Sequence, residues 1–344
     1  MKKIALLCGG KGSEYSVSLT SAASIINHFP INDYELIKII NSKEGKFFLV
    51  HADSKNIQND TWKNLAKDEL YLSNDGFYFK KDHSLLKIDV IINMIHGSIG
   101  ENGILQAILD NAGISYTGCD MSASLIAYDK ELCHRLLDKE GILKAKYHSL
   151  INYLPTKDEY EAIVNDLGLK MIIKPAREGS SYGISVVETY DEFIKALQLA
   201  YKYDQKIIIE EYLTGFEIGF SVLEKDNDLI CGAIDEIEMK RSFFDFELKY
   251  ISNETIFHCP ARISEKDNAK VKEIALKVFN LLGCRDYARI DFFYVDSKIY
   301  FNEINTIPGF TDHSRYPNMM SKVGIDYQMI IKTLIKNALR RKDD

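Results

Sequence analysis

Residues 88–112 read IDVIINMIHGSIGENGILQAILDNA, and the order of residue types within them sets the fold class. The apolar run Ile88–Ile95 ends at His96-Gly97, the glycine-rich stretch Ser98–Gly103 follows, and a helix is predicted from Ile104 to Ala112. This strand–turn–helix punctuation belongs to a parallel α/β sheet. Upstream the pattern repeats. Lys3–Cys8 is a short apolar strand ending at Gly9-Gly10, Ser18–Phe29 carries apolar residues at helical spacing, and Tyr34–Ile40 reads as another strand. Sheets of this kind place function at the carboxyl ends of their strands.

Downstream the rhythm changes. Lys170–Pro175 and Ile184–Glu188 are strands separated by the loop Arg177–Tyr182, Asp191–Tyr203 is a helix, and Lys206–Glu211 is a strand. A final third begins near Tyr212, with strands around Ile230–Glu236, Tyr287–Tyr294 and Ile299–Asn305, and helices at Glu265–Leu282 and Tyr327–Arg341. A chain of 344 residues is long enough for two or three domains.

Composition narrows the function classes. With 46% hydrophobic and 27% charged residues, the chain is globular rather than disordered, and 6 Pro and 20 Gly leave little room for long linkers. A formal net charge of -7 argues against a duplex-binding protein. A local cluster of lysines can still bind an anionic nucleotide. Cys8, Cys119, Cys133, Cys231, Cys259 and Cys284 contain no C-x-x-C pair, so zinc ribbons and thioredoxin-type sites lose support. Isolated thiols suit a reducing compartment. The apolar run in MKKIALLCGGKG is too short for a signal peptide, and no run approaches the ~20 residues of a membrane span. The expectation is a soluble, cytoplasmic protein.

Three stretches carry candidate chemistry. In IYFNEIN, residues 299–305, Glu303 and Asn305 are two apart and share one face of a strand, as do Arg289 and Asp291 in YARIDFFY, residues 287–294. If the two strands pair, Asp291, Glu303 and Asn305 form an oxygen-rich cluster that suits magnesium, with Arg289 nearby. The competing reading is a solvated face with a surface ion pair, against which the flanking apolar residues count. The loop in KPAREGSSYG, residues 174–183, has small residues that let backbone N–H groups approach phosphate, and Lys174 stands at its entry. A plain hairpin is the alternative. Gly179–Gly183 also fits G-x-S-x-G, which would make Ser181 a hydrolase nucleophile, but the β-branched residues after it predict a strand where that motif needs a helix. Glu210, Glu211 and Glu217 could bind ribose hydroxyls or an amino group, or could simply end exposed strands. Glu14 lies just after the first strand, where a ligand would sit.

The series GGKGSEYSVSLTSA (9–22), HGSIGENG (96–103), YDK (128–130), IIKPAREGSSYGIS (172–185), EEYLTGFEIG (210–219), FFDFELKY (243–250), ARIDFF (288–293) and NEINTIPGFTDHSRYP (302–317) resembles the D-alanine–D-alanine ligase family of the ATP-grasp superfamily. The resemblance runs from about Lys3 to Ile335. It implies a three-domain ATP-grasp architecture: an N-terminal α/β domain over 1–122 for the first D-amino acid, a central domain over 123–211, and a C-terminal domain over 212–344. It also implies a homodimer, ATP as substrate, and two magnesium ions (or manganese) on Asp291, Glu303 and Asn305. Lys130, Lys174 and Lys249 would contact phosphates, Glu210 and Leu213 the adenine, and Glu217 the ribose. Glu14 would take the ammonium of the first substrate, with His96 nearby. Ser180 and Tyr250 would orient Glu14, and Arg289 with the Gly309 N–H would stabilise the tetrahedral intermediate.

Two motifs bear on the second substrate. The lid reads FFDFELKY, where housekeeping ligases usually have tyrosines at Phe244 and Phe246, and HSRYP places Arg315 after Ser314 where they carry Leu or Met. Both features, with EYSVSL near the start, look like the D-alanine–D-serine branch of the vancomycin-resistance ligases. A guanidinium can hydrogen-bond the extra hydroxyl of D-serine and an apolar side chain cannot. The alternatives are a housekeeping D-alanine–D-alanine ligase, in which Arg315 only pairs with a carboxylate, and remotely the Ser181 hydrolase. Asn102 replaces the Asp usual in this family's G-E-D-G turn; Asn is a common turn residue that can keep the local hydrogen bonds.

Overall fold

A computed structural model describes residues 1–65, 67–239 and 255–343. Three sheets follow one another along the chain. The first contains eight strands: β1 (Lys2–Gly9), β2 (Tyr34–Asn41), β3 (Phe47–Val50), β4 (Lys67–Ser73), β5 (Gly76–Phe79), β6 (Leu85–Leu86), β7 (Val90–Asn93) and β8 (Ser115–Tyr116). Their order is β6-β5-β4-β3-β2-β1-β7-β8, with β2, β1, β7 and β8 parallel and β3 to β6 an antiparallel wing.

Side-chain alternation explains why this sheet is covered on both faces. Ile4, Leu6 and Cys8 of β1 and Val90 and Ile92 of β7 enter a core shared with the C-terminal helix Tyr327–Asp343. Ala5 and Leu7, with Ile91, enter the opposite core, shared with the helix Ile104–Asn111. The predicted parallel α/β unit is therefore present. The antiparallel wing was not anticipated, because its strands are short and mostly half-exposed, so no clean alternation marks them.

The second sheet is antiparallel, in the order β11-β10-β12-β9, from β9 (Tyr147–Ile151), β10 (Met171–Pro175), β11 (Ser185–Val187) and β12 (Lys206–Glu211). The helices Lys157–Leu167 and Tyr190–Ala200 fill its core, each opened by a capping box. The third sheet contains β13 (Phe216–Lys225), β14 (Asp228–Cys231), β15 (Asp235–Met239), β16 (Thr255–His258), β17 (Tyr287–Val295) and β18 (Lys298–Asn305), in the order β16-β15-β13-β17-β18 with β14 on β13. The single strand expected around Ile230–Glu236 is two strands, β14 and β15. Gly232 breaks it by packing against Ser221, where a Cβ would lie 2.0 Å from the hydroxyl oxygen. The helices Met121–Tyr128 and Lys130–Asp138 share a core with this third sheet. All six cysteines are free thiols.

Candidate active site

One cavity of about 740 Å³ is lined by residues of the second and third sheets and of the segments that follow β1 and β7 of the first. Glu14 enters it from the turn after β1, held between two glycines. A Cβ on Gly97 would lie 2.5 Å, and one on Gly179 2.7 Å, from its Oε2. The Ser180 hydroxyl donates a short hydrogen bond to Glu14 Oε1, and the Ser13 hydroxyl donates another to Glu178. The loop after β10 is thus strapped to the first turn, with Ser180 and Ser181 at φ 48° and 61°. Burial raises the Glu14 carboxyl, the Ser180 bond opposes this, and the Glu178 charge adds to it.

His96, at the end of β7, is buried. Its Nδ1 is 3.0 Å from the Ile307 carbonyl and so donates, which leaves Nε2, 2.9 Å from the Ser21 Oγ, to accept. Burial pushes this imidazole down to about 4. Beside it, Glu101 accepts from the Gly97 N–H at 2.8 Å, and burial followed by the Glu14 charge pushes its carboxyl up to about 8.

At the other end of the cavity two lysines are buried. Lys130 Nζ donates to the Glu178 carbonyl at 2.7 Å and lies 3.5 Å from Glu303 Oε2. Lys174 Nζ sits 2.7 Å from Glu210 Oε2 and 3.4 Å from Asn302 Oδ1. Leu213 lines the same wall.

The strands β17 and β18 pair, with Arg289 opposite Asn305 and Asp291 opposite Glu303. A bulge follows Asp291, and Asn302 is the extra residue. Arg289 Nε and Nη2 donate to Asp291 at 2.8–3.0 Å, and Asn305 Nδ2 donates to Asp291 Oδ2 at 3.0 Å. Asp291 is buried, whereas Arg289, Glu303, Asn305 and Gly309 reach the cavity wall.

Arg315 begins the helix Arg315–Ser321 and lies over β13. Its Nε and Nη2 form a two-pronged contact with Asp235 at 2.8 Å each, Nη1 donates to Glu217 at 2.6 Å, and Nη1 is 3.2 Å from Asp291. The register explains this cradle. Gly219 lies opposite Asp235 on one side and Asp291 on the other, and Glu217 is two residues back on the same face. A Cβ at Gly219 would fall 2.2 Å from Arg315 Nη2, so glycine makes the space. Burial opposes the guanidinium's charge, but Asp235 and Asp291 more than compensate and keep it fixed. Ser314, just before it, receives the Thr311 N–H at 2.9 Å.

The cavity therefore brings together Glu14, His96, Lys130, Lys174, Ser180, Glu210, Leu213, Glu217, Arg289, Glu303, Asn305, Gly309, Ser314 and Arg315. Phe244, Phe246, Lys249 and Tyr250 lie outside the described residues. Sequence reasoning missed Asp235, Glu101 and Glu178. No sequence signal singled out Asp235, which shares its strand DEIEM with Glu236 and Glu238. The hydrolase elbow finds no support, because Gly179–Gly183 connects two antiparallel strands, β10 and β11. Among the described residues, one cluster of His, Cys, Asp or Glu atoms has metal-binding spacing: Glu236, Glu238 and His258. Arg262 contacts both carboxylates, which makes it an ion-pair cluster. No described helix is long and apolar enough to cross a membrane.

Comparison with known proteins finds relatives over the whole chain. The family model for the D-ala D-ala ligase N-terminus matches residues 3–119, and that for the C-terminus matches residues 136–336. The vancomycin C-type resistance protein VanC1 of Enterococcus gallinarum is 37% identical over 100% of this chain and 99% of its own length. A D-alanine–D-alanine ligase of Wigglesworthia glossinidia brevipalpis is 36% identical over 99% of both. The crystal structure of the VanG D-Ala:D-Ser ligase from Enterococcus faecalis superposes with a TM-score of 0.86, at 35% identity, over 98% of this chain and 99% of that one.

Proposed function

The chain belongs to the D-alanine–D-alanine ligase family of ATP-dependent, ADP-forming ligases, and from that premise we propose that it joins D-alanine to D-serine through a D-alanyl phosphate. The observation that carries the choice of D-serine is Arg315 on the cavity wall. Four of its five N–H directions go to carboxylates, which leaves one donor for a hydroxyl. The likeness to the VanG enzyme supports the same choice. The commitment of Arg315 to three carboxylates also favours a second reading, in which it is a structural ion pair and the enzyme is a housekeeping D-alanine–D-alanine ligase.

The proposed roles follow the geometry. Glu14 receives the ammonium of the first D-alanine, with Ser180 fixing its orientation, and His96 ties the adjacent loop in place. Glu210 and Leu213 face the adenine and Glu217 the ribose. Lys130 and Lys174 bind phosphates, exchanging the carboxylate and carbonyl contacts they make here. Glu303 and Asn305 offer hard oxygens that fit magnesium at the cavity wall, Asn305 turning its nitrogen towards Asp291 and leaving its oxygen for a cation, and Asp291 would join them by giving up part of its Arg289 ion pair. When bound, the metal offsets charge during phosphoryl transfer. Transfer of the γ-phosphoryl group to the D-alanine carboxylate releases ADP and turns an oxide into a phosphate leaving group. The second amine attacks the carbonyl and phosphate departs. Arg289 and the Gly309 N–H stabilise the oxyanion, an effect of about 3–4 kcal/mol per donor. Lys249 is assigned to the γ-phosphate and Tyr250 to orienting Glu14, as the family resemblance implies. The same reading includes the division 1–122, 123–211 and 212–344, a place in peptidoglycan precursor synthesis and vancomycin resistance in the cytoplasm, and a homodimer. The exposed Ile104, Ile108, Met121 and Leu125 on two adjoining helices support the last.

The test is phosphate release from ATP with D-alanine plus D-serine, D-alanine alone, and D-alanine plus D-lactate, comparing wild type with Arg315→Met. Wild type should form D-alanyl-D-serine, and the variant should shift towards the alanine dimer. An unchanged product ratio removes Arg315 from the argument and leaves the housekeeping reading.

A further inference from the structure

His134 has no part in the mechanism above, yet it stands behind the cavity wall with a hydrogen bond unmade. It lies in the helix that Lys130 begins and is 1% exposed. Tyr147 and Phe301 meet its ring edge-on, at centroid distances of 5.1 and 6.0 Å. Its Nε2 is 3.4 Å from the Asn302 carbonyl oxygen, a contact in which the nitrogen must donate. Its Nδ1 faces Glu210 Oε1 at 3.9 Å, too far for a hydrogen bond. Both of these atoms are buried and without a hydrogen-bond partner among the described residues. Buried polar atoms left in this way are rare and need a reason. The other Glu210 oxygen is held by Lys174. Burial keeps the imidazole neutral, so it has a single N–H for two competing acceptors.

We propose that His134 is a positioning residue for Glu210, donating from Nδ1 to the unpaired oxygen when a bound nucleotide's phosphates draw Lys174 off the other. The inference rests on the reading that Glu210 faces the purine and Lys174 the phosphates. One proton leaves Nε2 for water and one reaches Nδ1 from water, so the ring stays neutral and no charge is created. A hydrogen bond to a carboxylate replaces a long one to a carbonyl, and the charged acceptor gives the stronger bond. The fixed carboxylate then offers only acceptors to the purine edge. It accepts from the 6-amino group of adenine and repels the 6-oxo group of guanine.

The direct test uses the full chain with ¹⁵N-labelled histidine rings, with and without magnesium-ADP, His134 being assigned by its loss in His134→Gln. The expected spectra show the proton on Nε2 without nucleotide and on Nδ1 with it. One tautomer in both states overturns the proposal. In kinetics, His134→Leu should raise KM for ATP about tenfold and weaken the preference for ATP over GTP, with kcat within about twofold. His134→Gln should keep near-wild-type values because its amide can donate to the same oxygen. An unchanged KM in a folded His134→Leu protein also overturns it. Glu210→Gln separates the two layers: if it raises KM while His134→Leu does not, His134 alone is wrongly assigned. If neither moves KM, the placement of the base at Glu210 fails as well.

Discussion

Arg315 is held by acidic residues from three strands, and Gly219 beneath it has no side chain to obstruct them. Such a buried cluster is stable when complete. Removing Asp235 takes away the two-pronged contact while Glu217 and Asp291 still hold the guanidinium. Asp235→Ala should therefore lower the urea-unfolding free energy by about 1.5–3 kcal/mol and erode the preference for D-serine. A variant with unchanged stability would show that the Asp235 contact contributes nothing. Two other buried groups set the pH response. His96 falls from an ordinary 6.5 to about 4, so its contribution to stability is complete above 6.5 and is lost as pH drops towards 4. Glu101 rises from 4.5 to about 8, so its contribution is complete below 4.5 and is lost as pH rises through 8. Between 4.5 and 6.5 the two trends oppose each other, so the melting temperature of the ligand-free chain should vary little there and decline as pH rises from 6.5 through 8. Glu101→Gln should abolish the alkaline decline and leave a rise between 4 and 6.5, and an unaltered profile would contradict the assignment.

At the scale of elements, the loop from Arg177 to Gly183 matters most, because its backbone closes on Glu14. Gly179→Ala would set a methyl group 2.7 Å from a Glu14 oxygen. This should reduce kcat/KM at least about tenfold, mainly through KM for the first D-alanine, with the melting temperature little changed. Wild-type kinetics would mean that the loop does not define the first-substrate site. The elements also show why some features were readable and others were not. Alternation put Arg289 with Asp291 and Glu303 with Asn305 on strand faces, and the observed pairing of β17 with β18 brings the two sets together. The strand β1 was equally legible, since its two sets of side chains fill two cores. The wing β3 to β6 was not, because two- to seven-residue strands with half-exposed side chains carry little periodic signal. Asp235 escaped notice for a different reason. Its role depends on lying across β13 from Asp291 with Gly219 between them, and no sequence interval records that register.

Across the whole molecule, three sheets meet around one cavity, the first and third sharing part of one core through Leu223 and Tyr287, and each region supplies a different part of the chemistry. The segments after β1 and β7 contribute Glu14 and His96, the second sheet Lys174 and Glu210, and the third the acidic strands that hold Arg315. A site assembled in this way suits a reaction that must bring two amino acids and a nucleotide together while keeping water away from an acyl phosphate. The family places the chemistry among ATP-dependent ligases, and the remaining question is which amine is accepted. A single-vessel competition answers it most directly: purified protein, ATP, magnesium and equal concentrations of D-alanine and D-serine, with ADP and both dipeptides quantified by mass spectrometry. The account predicts one ADP per dipeptide formed and D-alanyl-D-serine as the major product. A predominance of D-alanyl-D-alanine under these conditions would contradict it.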